Sequence, residues 1–101
     1  MEAPLAVTVA VARDRRAAAI AFYAAVFGGE PLLEVHVLEG EPAGSRAPVC
    51  ELVVDDVEAW IDRGIRYGAE LRTRVDAPDG RATYAQWRDP FGALWAFTRS
   101  P

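Results

Sequence analysis

The chain has 101 residues, a net charge of −4, a 51% hydrophobic fraction and a 26% charged fraction, which is the balance of one small globular domain. The acidic balance argues against nucleic-acid partners, which need a basic surface, and no apolar run reaches the length of a membrane span. One cysteine, Cys50, and one histidine, His36, exclude a disulfide framework, a cysteine-cluster zinc site and any two-histidine metal motif.

Residues 5–12 are apolar and partly β-branched and predict a buried strand. Asp14 is placed to cap a helix over 15–27, in which Ile20, Tyr23, Ala24 and Phe27 form an apolar stripe that Gly28-Gly29 ends. Residues 32–38 predict a strand with Glu34 and His36 on one face and Leu33, Val35 and Val37 on the other. The polar, turn-rich stretch 39–48 reads as a loop, and 49–54 as a strand. Asp55 and Glu58 have capping-box spacing for a second helix, whose buried side is expected at Val57, Trp60, Ile61, Gly64 and Ile65 and whose end falls at Gly68. Strands follow at 71–75, 83–87 and 94–98, joined by turns at Pro78-Asp79-Gly80 and Asp89-Pro90-Phe91-Gly92.

The chain repeats itself. Val7 to Asp14 and Val49 to Asp56 are both strands leading to acids, and Phe27-Gly28-Gly29-Glu30 is echoed by Tyr67-Gly68-Ala69-Glu70. Two copies in so short a chain predict paired modules, the first about 5–38 and the second about 49–98, within one domain spanning 1–101. The bland alternative is chance similarity between two βα units.

Three segments, AIAFYAAVFGGE (19–30), VVDDVEAWIDRGIRYGAE (53–70) and WRDPFGALWAF (87–97), resemble the vicinal oxygen chelate superfamily of glyoxalases, bleomycin- and fosfomycin-resistance proteins and dioxygenases. The resemblance implies an α+β fold of paired βαβββ modules whose sheets form a half-barrel cup. The first module must be reduced, because the chain between Gly28 and Val49 is too short for three strands. Residues 32–38 are then the second or the fourth strand of that module. The fourth is favoured, because LLEVH looks like the glyoxalase strand that carries a ligand glutamate. The metal-ligand slots of the family fall on Val7, Glu34, Val49 and Ala96. Three of these carry no donor, so neither metal nor other cofactor is expected.

Strand alternation from Val49 and Ala96 places Glu51, Val53, Leu94 and Thr98 on the cup side, and Cys50, Leu52, Val54, Trp95 and Phe97 towards the helices. Tyr84 and Gln86 line the cup if Trp87 is core. Candidate ligand-binding residues are therefore Glu34, His36, Glu51, Tyr84, Gln86 and Thr98. Glu34 and His36 form either an acid/base pair or the solvent face of an ordinary strand. Tyr84 is either a stacking and hydrogen-bonding group or a cross-strand neighbour, and Arg72 and Arg74 are either an anion clamp or guards of a strand edge. Cys50 reads as a small buried hydrophobe. Serines at 45 and 100 alone make a serine hydrolase improbable, the absence of lysine excludes Schiff-base chemistry, and no glycine-rich phosphate loop is present.

The function expected is that of a metal-free binder of a small organic molecule, acting as a cytoplasmic homodimer with no nucleic-acid or membrane partner. The alternative is a metal-independent lyase or isomerase that moves protons through His36 and Glu34. A third possibility is a degenerate module that serves only in assembly.

Overall fold

A computed structural model describes residues 5–30, 33–41 and 46–101. The chain divides into two units, up to Ala43 and from Gly44. Leu32 of the expected strand and residues 42–45 of the expected loop lie outside the described residues.

In the first unit, strand β1 (Leu5–Val11) leads through a 3-10 turn at Arg13–Arg15 into helix α1 (Arg16–Phe27), and the chain returns along strand β2 (Leu33–Glu39). The two strands are parallel and in register from Leu5 beside Leu33 to Val11 beside Glu39. Val7, Val9 and Val11 alternate inward, as a strand with one covered face requires.

Two expectations for α1 need correction. Asp14 does not cap the helix: it sits inside the 3-10 turn, and Arg15 precedes α1 with no side-chain capping bond. The buried stripe is Ala19, Phe22, Tyr23, Val26 and Phe27, whereas Ile20 is 43% exposed and Ala24 is exposed too. The helix is apolar on every side after Arg16, so two neighbouring stripes that share Tyr23 and Phe27 fit the same 3.6-residue period. Only packing selects between them. Phe22 meets Tyr23 edge-on at 5.3 Å, and Tyr23 stacks on Phe27 at 6.3 Å.

In the second unit, strand β3 (Cys50–Val54), helix α2 (Val57–Arg66) and strands β4 (Glu70–Asp76), β5 (Ala82–Arg88) and β6 (Leu94–Arg99) form a complete βαβββ module. The sheet order is β3-β6-β5-β4, with β3 parallel to β6 and the other pairs antiparallel. Both sheets are open and neither closes into a barrel.

This topology assigns β2. In the complete module the strand lying parallel beside the first is the fourth, β6, while the second, β4, lies at the far edge. β2 lies parallel beside β1, so it stands where the fourth strand stands. Strands matching β4 and β5 have no counterpart among the described residues of the first unit.

The α2 cap also differs from expectation. Asp56, not Asp55, is the N-cap, and its carboxylate accepts from the Ala59 N–H at 3.2 Å. Glu58 makes no return bond to a cap; it accepts instead from the Ala82 N–H at 3.2 Å and from Arg74 at 3.5 Å, tying the helix to β5 and β4. Asp55 accepts from the Ser100 hydroxyl. Val57, Ile61 and Gly64 are buried as expected, Trp60 is half-buried, and Ile65 is 49% exposed, one position beyond the stripe.

The core beneath α2 is aromatic. Trp87, Trp95 and Phe97 are fully buried; Phe97 stacks on Trp60 at 5.4 Å, and the Trp87 indole N–H donates to the Trp60 carbonyl at 3.0 Å. Gly64 lies directly on the Trp87 indole, where a Cβ would collide with the ring. The turn before β6 is built on Asp89, a buried carboxylate. Its Oδ1 accepts from the Phe91 and Ala93 N–H groups at 2.9 and 3.0 Å, and its Oδ2 from the Trp95 indole at 2.9 Å. Gly92 closes this turn at a φ of +94°, which an L side chain rarely adopts.

Candidate functional site

One face of the four-stranded sheet packs beneath α2 through Cys50, Val54, Ala85, Trp87, Trp95 and Phe97. Strand alternation sends Glu51, Thr98, Tyr84, Gln86 and Thr73 to the opposite face. There they are hydrogen-bonded in two neighbouring groups that together span all four strands. The Thr98 hydroxyl donates to Glu51 Oε1 at 2.7 Å. The Gln86 amide donates to the Tyr84 hydroxyl at 2.6 Å, and the Thr73 hydroxyl donates to Gln86 Oε1 at 3.4 Å. Tyr84 lies directly across from Thr98, so the groups adjoin at that pair.

Backbone register explains this gathering. Gln86 is paired with Ala96 and with Thr73, and Glu51 with Ala96. The alanine, fully buried at the centre, leaves room for the longer polar side chains on either side to lie over it. Exposed Val53 and Val75 add apolar surface at the two flanks. The result is a sheet face with carboxylate, phenol, amide and hydroxyl groups set among short apolar ones. Because Tyr84 accepts from Gln86, its own proton is available to donate to a bound molecule, and Glu51 keeps a second oxygen for accepting.

Glu34 and His36 are brought together in the first unit. His36 Nε2 stands 3.4 Å from Glu34 Oε2, with both side chains more than half exposed. Open water around the pair gives it no dry cavity in which proton transfer would be strengthened. Arg72 and Arg74 lie on the wholly exposed strand β4, where Arg72 pairs with Glu70 at 3.0 Å and Arg74 with Asp76 at 2.8 Å. Their charges are met by carboxylates on their own strand and, for Arg74, by Glu58 of α2 as well, so neither is held open for an anion. Cys50 is buried, and burial, with Glu51 beside it, pushes its thiol up. A neutral thiol is a poor nucleophile.

Thr73 was not among the residues expected in the site. A bulge between Leu71 and Thr73 shifts the side-chain alternation on β4 and turns Thr73 to the polar face. No feature of the sequence marks that bulge.

The donor set does not fit a metal. Of the four positions that the sequence resemblance assigns to metal ligands, Val7 and Ala96 are buried hydrocarbon, Val49 is hydrocarbon too, and Glu34 alone offers oxygen. Among the described residues no three histidine, cysteine, aspartate or glutamate side chains are gathered as a metal site would need. Purified protein is expected to hold no stoichiometric zinc, nickel, iron or manganese after dialysis. About one ion per chain by elemental analysis would contradict this.

The fold defined by these units is that of the glyoxalase/bleomycin resistance/dioxygenase superfamily. The chain is similar to a glyoxalase/bleomycin resistance protein from Catenulispora acidiphila, with 23% identity and a TM-score of 0.64 over 99% of this chain and 100% of that one. It is similar to TnmS3, an antibiotic binding protein from Streptomyces sp. CB03234, with 19% identity and a TM-score of 0.67 over 100% of this chain and 98% of that one. It is also similar to a variant of the fosfomycin resistance protein FosX from Listeria monocytogenes, complexed with Mn(II) and 1S,2S-dihydroxypropylphosphonic acid. There the identity is 15% and the TM-score 0.67, over 97% of this chain and 90% of that one. No family model matches the sequence, and no curated protein does. Among the described residues, no helix is long and apolar enough to cross a membrane.

Proposed function

We propose that this chain binds a small organic molecule on the polar face of its four-stranded sheet, without a metal and without chemistry on the ligand. The observation that carries the reading is the row of Glu51, Thr98, Tyr84, Gln86 and Thr73, hydrogen-bonded in two adjoining groups and flanked by exposed valines. A binding surface needs a few convergent polar groups set in apolar area, and this face supplies both. Side chains already bonded to one another lose little freedom when a ligand arrives. Glu51 favours a ligand that presents a hydroxyl, amine or amide N–H, and Tyr84 one that also presents an acceptor. A similar fold in an antibiotic binding protein supports a drug-sized occupant.

The absence of donors at three of the four family slots separates this chain from relatives such as the manganese-bound FosX. The working form is a homodimer in the cytoplasm, where a lone buried thiol suits a reducing compartment. His36 and Glu34, open to solvent, serve no proton transfer in this reading.

The test is an amide chemical-shift titration of the labelled protein with a panel of antibiotics that includes bleomycin and fosfomycin. Saturable shifts are expected on β3, β5 and β6 around Glu51, Tyr84 and Thr98. Saturable binding whose shifts avoid this sheet would overturn the assignment of the face.

A further inference from the structure

Helix α1 is apolar on more sides than the core of its unit uses. Ala19, Phe22 and Val26 are buried, whereas Ile20 and Ala24 are exposed. These two, with Tyr23 and Phe27, form one wall of a groove of about 570 Å³. The other wall is β2, through Leu33 and the run Val35, His36, Val37 and Leu38. Successive side chains of a strand point to opposite faces, so a groove that takes in four in a row lies along the strand's edge. It is the edge away from β1, and among the described residues no strand occupies that side. A strand in a parallel pair turns only alternate residues' N–H and C=O groups to its neighbour, so β2 presents the others at this edge.

We propose that the groove binds an extended peptide segment of another protein, added to β2 as an antiparallel strand beneath α1. The segment carries large apolar side chains at alternate positions and ends in basic residues. This site is independent of the ligand face proposed for the second unit.

The strand edge decides that the occupant is a backbone. A lipid chain or other apolar molecule would cover Ile20, Val35 and Val37 but leave the edge groups of β2 without partners, whereas strand addition satisfies them. The complete module sets the direction: β6, whose place β2 takes, is flanked by β5 running antiparallel, with α2 seated over it at Trp87. Side chains opposite Leu33, Val35 and Val37 fall on the α1 face, hence the apolar alternation, and Ala24 leaves room for a large one among them.

Charge sets the end of the segment. Glu30 lines the groove where β2 begins, and Glu34 is the second residue of that strand. An antiparallel segment finishes there, so its last side chains meet two carboxylates. At the opposite end Arg16 lines the groove while Glu39 closes β2, and the two charges offset each other.

A second copy of this chain is a poor fit. Its β2 would bring its own α1 over the same groove, and packed helices need about 8–10 Å between axes where neighbouring strands allow about 4.8 Å. Its edge strand β4 would set Arg74, which faces Glu58 of α2, against the apolar wall.

The experiment titrates the labelled full chain with a capped nine-residue probe that alternates threonine with valine, phenylalanine and valine and ends in two arginines. Saturable amide shifts are expected along β2 and at Ile20 and Ala24. Two further probes are N-methylated on one or the other alternate set of residues. The set whose N–H groups face β2 should bind at least about tenfold more weakly than the other, because only it loses the inter-strand bonds. Ending the probe in two glutamates should weaken binding about fivefold. Ala24→Phe fills the groove from an exposed position, so the variant should stay folded and lose the probe. Equal binding of the two methylated probes would overturn strand addition and leave only an apolar groove. Shifts on β2 and α1 that grow with protein concentration alone would assign the groove to a second copy instead. Overturning results also include no saturable shift on β2 with about 1 mM probe, shifts confined to the second unit, and undiminished binding by Ala24→Phe. The antibiotic titration reads β3, β5 and β6 separately, so either site can fail alone.

Discussion

Replacing Asp89 by alanine is expected to reduce folding stability by roughly 3–5 kcal/mol, the largest effect of any single substitution considered. The side chain is 4% exposed and accepts three hydrogen bonds, from two backbone N–H groups of its own turn and from the Trp95 indole. Truncation leaves these buried donors without that acceptor, and each stranded donor costs about 1–3 kcal/mol. The same carboxylate fixes the turn that aims β6, the strand at the centre of the candidate site. Asp89→Asn keeps the Oδ1 bonds but sets an amide N–H against the Trp95 N–H, so it should fall between the two. Urea unfolding followed by tryptophan fluorescence gives all three values. Alanine within about 0.5 kcal/mol of the native chain would show that Asp89 does not hold the turn.

Gly64→Ala is the second. On an exposed helix the change would add about 1 kcal/mol through helix propensity. Here the new methyl would enter the Trp87 indole, which is itself fully buried and anchored through its N–H to the Trp60 carbonyl. Overpacking of this kind typically destabilises by about 1–3 kcal/mol and moves backbone as well as side chains. A net loss of roughly 1–2 kcal/mol is expected, with a changed near-UV signal from the tryptophans. Gly64→Ala more stable than the native chain would mean that α2 does not sit against β5 as described.

Much of this architecture is legible from residue pattern alone. The two βα starts, the three strands after Gly68 and both turns appear in the sequence because each couples a two-residue period to glycine, proline or aspartate at its end. The polar face is legible for the same reason: once Trp87 is assigned to the core, alternation forces Tyr84 and Gln86 to the other side. What pattern cannot supply is a choice between equivalent solutions. Helix α1 is apolar all round, so its buried stripe is decided by packing, and Ile20 falls outside it. Asp55 and Asp56 are adjacent acids, and the cap goes to the one next to the first helical residue. Glu58 has the spacing of a capping partner but is drawn to the Ala82 N–H, a contact twenty-four residues away in the chain. Thr73 reaches the site only through a bulge, which depends on how β4 meets β5 and not on the composition of either.

The same logic explains why the chemistry of the first unit is easily over-read. Glu34 and His36 are two apart on a strand and within 3.4 Å, as an acid/base pair would be. Solvent exposure of both distinguishes them from a pair held in a dry cavity. The polar row of the second unit is different in kind. Its members come from four strands distant in sequence, and they meet because the fold brings them together.

The most direct measurement of the central claim is the affinity of the double variant Glu51→Ala, Tyr84→Phe for a compound that the native chain binds in the titration. Both side chains lie on the outer face of the sheet, so the variant should unfold at nearly the native urea concentration. With one carboxylate and one hydroxyl removed from the ligand's side, binding by isothermal calorimetry is expected to weaken at least about tenfold. A folded double variant that binds the compound as tightly as the native chain would contradict the assignment of this face as the binding site.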